Sequence, residues 1–508
     1  MTHRTTAPTI DFNRLLSLLN GALFLGLVFA YASVGPSEYA DGTTVVLGGL
    51  LALQTQLALS IERRRRDPFV IVFAWIMITY YLLRFSSLLL VPFSFELQRY
   101  AYGPADTNYA LVFVLLSNLF LYAGLFAVRT PAPVRVSEGW TARAPIRAIA
   151  LTLIAIVFNY GAMKAWLDGA PRALRFLLIF VRQDIVLLMA LVYFVVFRKR
   201  LSRQFAVALG VVLVLDIVLH TLAGSRGAVV VVLQNLMYVT LGFAGVIEVR
   251  RRTAAVGALL SPLLIGVMIV TFTVASYLRV MVGTVSNDDF SLTKAIETSQ
   301  TAGDRLTRDY ALESGIPLIM SRVGYFDYSA EVIAHKDHYA RIINFAAYGK
   351  SIVDNILSPG FDVFDQPKIA NAMRFAYEDL GEPSKSRADD EYQSDQIGIY
   401  GEMYMLFGWG ALAIFLVGGV CFKLLYRAFR DPDPFRLTVK RVVTLSLFAF
   451  VINSYGLDWI LLDLVTWMVM FQLYRFFFAT EYRAEPSSSP SARRPVAPAP
   501  SPLPLPSA

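Results

Sequence analysis

The residues able to do chemistry are the few charges set inside apolar sequence. A charge at the centre of a bilayer costs at least ~2.5–3.5 kcal/mol on insertion scales, so each such residue is a functional candidate. Arg84, Arg182, Asp184, Asp216, His220, Arg226, Arg279, Glu402, Asp458 and Asp463 all fall in or beside long apolar runs. Asp216 and His220 are four apart and share a helix face. Each of these residues also has a plainer explanation, as a structural ion pair or a side chain reaching for the interface. Arg226 and Arg279 favour function, because guanidinium forks bind phosphate oxygens bidentately. A lipid diphosphate presents its headgroup at this depth.

Transfer chemistry on such a ligand needs a stabiliser of the leaving charge and a general base. Arg226, Arg279 and Arg322 supply the first, with Arg84, Arg172 and Arg175 in reserve. Glu402 is the first candidate base, because it stands at the edge of an apolar run beside a polar loop. The competing explanation is a carboxylate favoured by a helix N-terminus. Asp327, Asp395, His335 and His338 are alternatives. His335 and His338 also have the spacing of a metal pair, but no third ligand is evident. Asp431-Pro432-Asp433 has a metal-binding spacing but reads as a turn. Asp288-Asp289 and Asp389-Asp390-Glu391 read as solvated loop acids. The expectation is metal-independent transfer without a cofactor. Tyr325, Tyr328, Tyr392, Tyr400 and Tyr404 are candidates for stacking on sugars, against a background of 25 tyrosines.

The elements that position these residues follow from composition. The 508 residues are 56% hydrophobic and only 17% charged, against about 25% charged in soluble domains. An ordinary soluble enzyme and a disordered chain are both excluded. The single cysteine, Cys421, rules out an intramolecular disulfide and a cysteine metal cluster. About twelve stretches have the length of a spanning helix, and none alternates as a barrel strand does. They run approximately 15–34, 44–61, 68–91, 109–128, 146–163, 177–197, 205–222, 228–247, 256–281, 397–425, 439–455 and 460–478. The first resembles a signal peptide at Ala30-Tyr31-Ala32, but its full spanning length favours an uncleaved anchor.

Basic clusters follow the second, fourth, sixth, eighth and tenth stretches, as at Arg63-Arg64-Arg65-Arg66 and Arg250-Arg251-Arg252. All five loops fall on one side, which the positive-inside rule makes cytoplasmic, together with both termini. The segment 284–396 falls on the other side and holds 11 basic against 19 acidic residues, a net −8. Turn signals at Gly315-Ile316-Pro317, Ser358-Pro359-Gly360 and Gly381-Glu382-Pro383 divide it. Amphipathic patterns at 325–333 and 369–377 predict short helices. The expected organisation is an all-α polytopic membrane protein. It has a cytoplasmic N-terminus (1–14), nine spans (15–283) and a mostly helical periplasmic loop (284–396). Three more spans (397–480) and a disordered, proline-rich cytoplasmic tail (481–508) complete it. No internal repeat is evident.

Three motifs then carry a resemblance. They are Gly224-Ser225-Arg226-Gly227, Ser321-Arg322-Val323-Gly324-Tyr325-Phe326-Asp327, and Tyr400-Gly401-Glu402-Met403-Tyr404 followed by Phe407-Gly408-Trp409-Gly410. In this order the chain resembles the Wzy-type O-antigen and exopolysaccharide repeat-unit polymerases, integral membrane glycosyltransferases with a large outer loop late in the chain. The resemblance covers roughly 201–419 by motif and the remainder by hydropathy alone. It implies transfer of a growing glycan from undecaprenyl diphosphate to the non-reducing end of a lipid-linked repeat unit, at the periplasmic face of the bacterial inner membrane. It implies Glu402, Asp327 or Asp395 in catalysis, with Ser225, Arg226, Arg279 and Arg322 at the diphosphate. Tyr325, Tyr404 and His338 fall to the sugar. The implied partners are undecaprenyl-diphosphate-linked oligosaccharides, the bilayer, a chain-length regulator and a flippase, with no nucleic acid. An O-antigen ligase-like enzyme shares the donor and the arginines. A lipid-linked oligosaccharide flippase shares the span count but is expected to show repeats or paired broken helices.

Overall fold

The computed structural model describes residues 9–84, 102–160, 182–223, 228–250, 292–305, 325–357, 398–453 and 457–483. It also describes shorter pieces at 263, 266–275, 278, 363–364, 369 and 372–373. The chain is mostly helical. The apolar helices, in order, are α1 (Phe12–Val34), α2 (Gly42–Arg65), α3 (Pro68–Ile76), α4 (Pro104–Ala127), α5 (Pro145–Tyr160) and α6 (Gln183–Phe197). After them come α7 (Arg203–Leu222), α8 (Ala228–Ala244) and α9 (Gly266–Ala275). Four polar-segment helices follow: α10 (Leu292–Arg305), α11 (Tyr325–Ala334), α12 (Lys336–Ile342) and α13 (Phe345–Leu357). The chain ends in α14 (Ile399–Phe407), α15 (Ala411–Ala428), α16 (Pro434–Asn453) and α17 (Ile460–Tyr474).

Among the described residues, five helical segments are long and apolar enough to cross a membrane: α1, α2, α4, α7 and the run Ile399–Ala428. Six further apolar helices are shorter. Leucines and valines on α1, α2 and α7 point outward, including Leu18, Leu25, Val46, Leu53, Val207 and Val214. An apolar exterior of this kind is what a lipid solvent selects.

Helix starts follow local chemistry. Asp41 caps α2, where its carboxylate accepts from the Thr44 amide while Thr44 Oγ1 returns a bond to the Asp41 amide. Asn108 of α4 also donates to Asp41 at 3.0 Å and, with Thr44, holds this carboxyl below its usual range. Asp67 caps α3 ahead of Pro68, and Ser202 caps α7. The tightest helix crossing joins α4 to α15. A Cβ on Gly124 would stand 2.2 Å from the Leu416 carbonyl oxygen, and one on Gly419 would stand 2.8 Å from that of Leu121. Only glycine lets these backbones meet, the usual means of helix association in lipid.

α3 shows that the molecule has two ends. It continues as a π-helical turn, Met77–Leu82, and reaches Arg84. At its start, Asp67 Oδ2 accepts from Lys423 Nζ at 2.7 Å, and Thr130 meets the same ammonium at 2.5 Å. At its far end, Arg84 binds Asp327 of α11. The intervening helix is about 25 Å long.

Four of the five basic loops, and the start of the fifth at β3, gather at the Asp67 end among the described residues. Arg65 donates to the Phe126 carbonyl, Arg200 to that of Ser137, and Arg441 to that of Ala132. Two short antiparallel pairs tie this end further. Strand β1 (Thr9–Asp11) pairs with β3 (Glu248–Arg250), and β2 (Trp140–Ala142) pairs with β4 (Thr480–Tyr482). The N-terminal segment and the segment after α17 therefore sit at the same end of the bundle as the arginine-rich loops. The predicted turn at Asp431-Pro432-Asp433 is here too: Asp433 caps α16 through the Phe435 amide, and Asp431 accepts from Lys440.

The opposite end carries a small helical cap. α11 lies across α14 and α4, and Val332, Tyr339, Ile343, Tyr348 and Met405 close a second core with Ile369, Ala372 and Met373. The helix predicted over 325–333 is α11. The predicted continuous run 397–425 is broken. Gly408 adopts φ +56°, a left-handed value that favours glycine, and a 3-10 turn, Gly408–Gly410, separates α14 from α15. Glu402 therefore belongs to a short buried helix ahead of the long one rather than to the long one's first turns. The start of the predicted disordered tail is ordered instead, since Glu481 and Tyr482 pair with β2; the tail beyond 483 and the patterned stretch 374–377 lie outside the described residues.

Candidate active site at the capped end

α14 is buried from Ile399 to Met405, and Glu402 sits in its first turn with 1% exposure. Tyr348 on α13 donates its phenol to Glu402 Oε1 at 2.8 Å. Burial, and then the adjacent carboxylate, hold the Tyr348 phenol well above its usual range. Glu402 Oε2 is buried with no side-chain partner among the described residues, and the Leu457 amide acts on the same carboxylate. Leaving a buried acceptor unsatisfied costs about 1–3 kcal/mol, more for a charged group. Such an atom calls for an explanation in function. One turn along α13, Ser351 donates to Asp458 Oδ2 at 2.6 Å. Asp458 lies in the turn that precedes α17, so α13 binds two buried carboxylates with one face.

Asp327 of α11 is a further buried carboxylate. Arg84 Nε and Nη2 donate to its Oδ2 at 2.9 and 2.5 Å, with both side chains almost fully enclosed. A carboxylate held by two guanidinium donors is a weak base, so this pair suits positioning better than proton abstraction. Arg84 has spent part of its fork on Asp327 and is a poorer phosphate ligand than an unengaged arginine. Glu331 follows Asp327 by one turn, and His335 Nε2 stands 3.8 Å from Glu331 Oε1. Burial and then the Asp327 charge raise the Tyr102 phenol well above its usual range.

Aromatic rings join the motifs. Tyr81, on the π-helical turn, meets Phe326 with ring centroids 6.3 Å apart and Tyr400 at 5.4 Å. Tyr400 donates to Asn118 Oδ1 at 2.5 Å. Tyr404, the predicted stacking residue, shares a 2.6 Å hydroxyl contact with Tyr109, and Trp409 Nε1 donates to the Tyr109 oxygen at 3.1 Å. Lys336 Nζ lies 5.5 Å above the Tyr404 ring. His338 is on α12, edge-on to Tyr339 at 5.6 Å.

Glu402, Asp327, Tyr404 and His338 thus belong to one capped end, on elements that pack together. Ser225, Arg226, Arg279, Arg322 and Asp395 lie outside the described residues, as does the side chain of Tyr325. The remaining intramembrane charges form their own groups. Arg182 binds Asp184 at 2.6 Å and Asp463 at 2.5 Å, linking α6 to α17. Gln183 donates to Asp216 at 3.2 Å, and His220 Nδ1 lies 3.3 Å from the Asp216 carboxylate. These are ion pairs and hydrogen bonds of the kind that structural roles predict. Tyr348, Ser351 and Tyr109 were missed in the sequence. Nothing about Tyr348 separates it from the other tyrosines until α13 is folded onto α14.

Comparison with protein-family models, with curated proteins and with solved structures finds no match for this chain.

Proposed function

We propose that this protein is a membrane glycosyltransferase of about twelve spanning helices. It joins undecaprenyl-diphosphate-linked oligosaccharide repeat units into O-antigen or exopolysaccharide at the periplasmic face of the bacterial inner membrane. The observation that supports this reading most directly is the meeting of Phe326 and Tyr400 on the Tyr81 ring. It brings two of the resembling motifs, far apart in sequence, to one capped end beside a buried carboxylate.

In this reading the acceptor hydroxyl gives its proton to Glu402 as its oxygen bonds the donor's anomeric carbon. The bond from that carbon to the diphosphate oxygen breaks, and its electron pair leaves with the lipid diphosphate. Arg226, Arg279 and Arg322, with Ser225, stabilise the departing charge, and no divalent metal takes part. Tyr325, Tyr404 and His338 contact sugar. Asp395 and Asp327 are the carboxylates next in line should Glu402 fail. A chain-length regulator and a flippase are the proposed partners.

The test is reconstitution. Purified protein is incubated with undecaprenyl-diphosphate-linked repeat units extracted from membranes of the source cell, with EDTA present. A ladder of polymer is expected. Transfer only to a lipid A core acceptor would favour a ligase. A ladder that disappears with EDTA and returns with magnesium would remove the arginine-only account. Glu402→Gln, normally inserted, is expected to abolish the ladder while donor binding persists.

A further inference from the structure

Two parallel hydrogen bonds leave one face of α13: Tyr348 to Glu402 and, three residues on, Ser351 to Asp458. The first binds Glu402 Oε1, and the Leu457 amide also acts on this carboxylate; Oε2 is buried, with no side-chain donor among the described residues. We propose that Tyr348 is the positioning residue of the base: its phenol holds Oε1 and so sets the orientation in which the carboxylate meets the acceptor hydroxyl, and docking of the cap helix assembles the reactive group. This inference rests on the reading of Glu402 as the base.

The chemistry follows from the direction of the hydrogen bond. A phenol donating to a carboxylate stabilises its charged form and lowers its proton affinity. Glu402 is thereby kept ionised at a lower pH than the same buried carboxylate alone. Burial and, more weakly, the like charge of Asp458 work in the opposite sense, and the Leu457 amide works in the same sense as the phenol. Asp327 and Glu331 on α11, Lys336, Asp337 and His338 on α12, and Tyr109 on α4 sit on elements packed against α14 or beside it, and none hydrogen-bonds Glu402. The bond also fixes one torsional state of a side chain that otherwise has several, which favours a near-attack geometry.

The experiment is the pH profile of polymerisation with the extracted lipid-linked repeat units, measured on the full chain. Activity needs the base deprotonated, so rate falls on the acidic side. Tyr348→Phe removes the donor and is expected to move the acidic limb upward by about one to two pH units, with kcat at neutral pH falling at least about tenfold. Ser351→Ala removes the neighbouring cap bond, which reaches Glu402 only through the Asp458 charge, and is expected to move the limb far less than Tyr348→Phe. Incorporation of 3-fluorotyrosine at position 348 makes the phenol a stronger donor and is expected to move the limb downward, a direction that general damage to the fold does not produce. An unmoved limb in both position-348 proteins, or equal movement in Ser351→Ala, overturns the role of Tyr348. Parent-rate polymerisation by Glu402→Gln is a different failure: it removes the base itself, and this inference with it.

Discussion

Lys423 Nζ lies 2.7 Å from Asp67 Oδ2 at the loop-rich end of the bundle, and the two side chains are 0% and 2% exposed. The pair joins the end of α15 to the start of α3 and stands beneath the Phe69 ring, 5.7 Å from the ammonium. Breaking a buried pair strands the surviving charge, at a typical cost of about 3–5 kcal/mol. Lys423→Met is therefore expected to destabilise the folded protein severely, as read by thermal unfolding in detergent. Lys423→Met combined with Asp67→Asn, which keeps an N-cap acceptor for α3, should recover much of the loss. A double variant no better than the single one would mean that the pair is not what matters there.

Gly124 is expected to tolerate nothing larger. Gly124→Ala places a methyl 2.2 Å from a backbone oxygen, so α4 and α15 must separate. The outcome should be a reduced yield of monodisperse protein on size-exclusion chromatography. Gly418→Ala, on the partner helix α15 with nothing within 4 Å of its Cβ, is the control and should behave as the parent.

The two ends of the bundle should lie on opposite sides of the membrane. In a Cys421→Ala background, Arg341→Cys on the exposed face of α12 is expected to react with a membrane-impermeant thiol reagent in intact spheroplasts. Lys199→Cys, exposed after α6, should react only after lysis. The reverse pattern would invert the proposed orientation.

Arg226 tests the diphosphate half of the proposed reaction. Arg226→Lys keeps the charge but loses the two-pronged geometry. Removal of a charge-stabilising donor typically costs about 10²–10³ in rate, and a substantial part of that loss is expected with lysine. Full donor affinity and turnover in Arg226→Ala would make the Gly224–Gly227 turn structural.

What the sequence determined by itself was the apolar helical character of the chain and which loops share an end. Long apolar runs with few charges have one stable outcome in lipid, because backbone groups must be satisfied within each helix. Arginine clusters after every second run place five loops together, and the structure gathers the described parts of those loops at one end. The caps at Asp41, Asp67 and Ser202 are local chemistry that the reading of the sequence passed over, since an N-cap acts on amides two or three residues away. Tertiary structure alone decided which charges were engaged. Arg84 and Asp327 are 243 positions apart, and nothing in either neighbourhood announces their pairing. The break at Gly408 was hidden because hydropathy averages over a window and does not sense one residue's φ. Glu402 stood out in sequence as a charge in the wrong solvent. Which of its oxygens the Tyr348 phenol binds was decided by where α13 comes to rest, because a hydrogen bond depends on ångström-scale placement of two helices that no local pattern encodes.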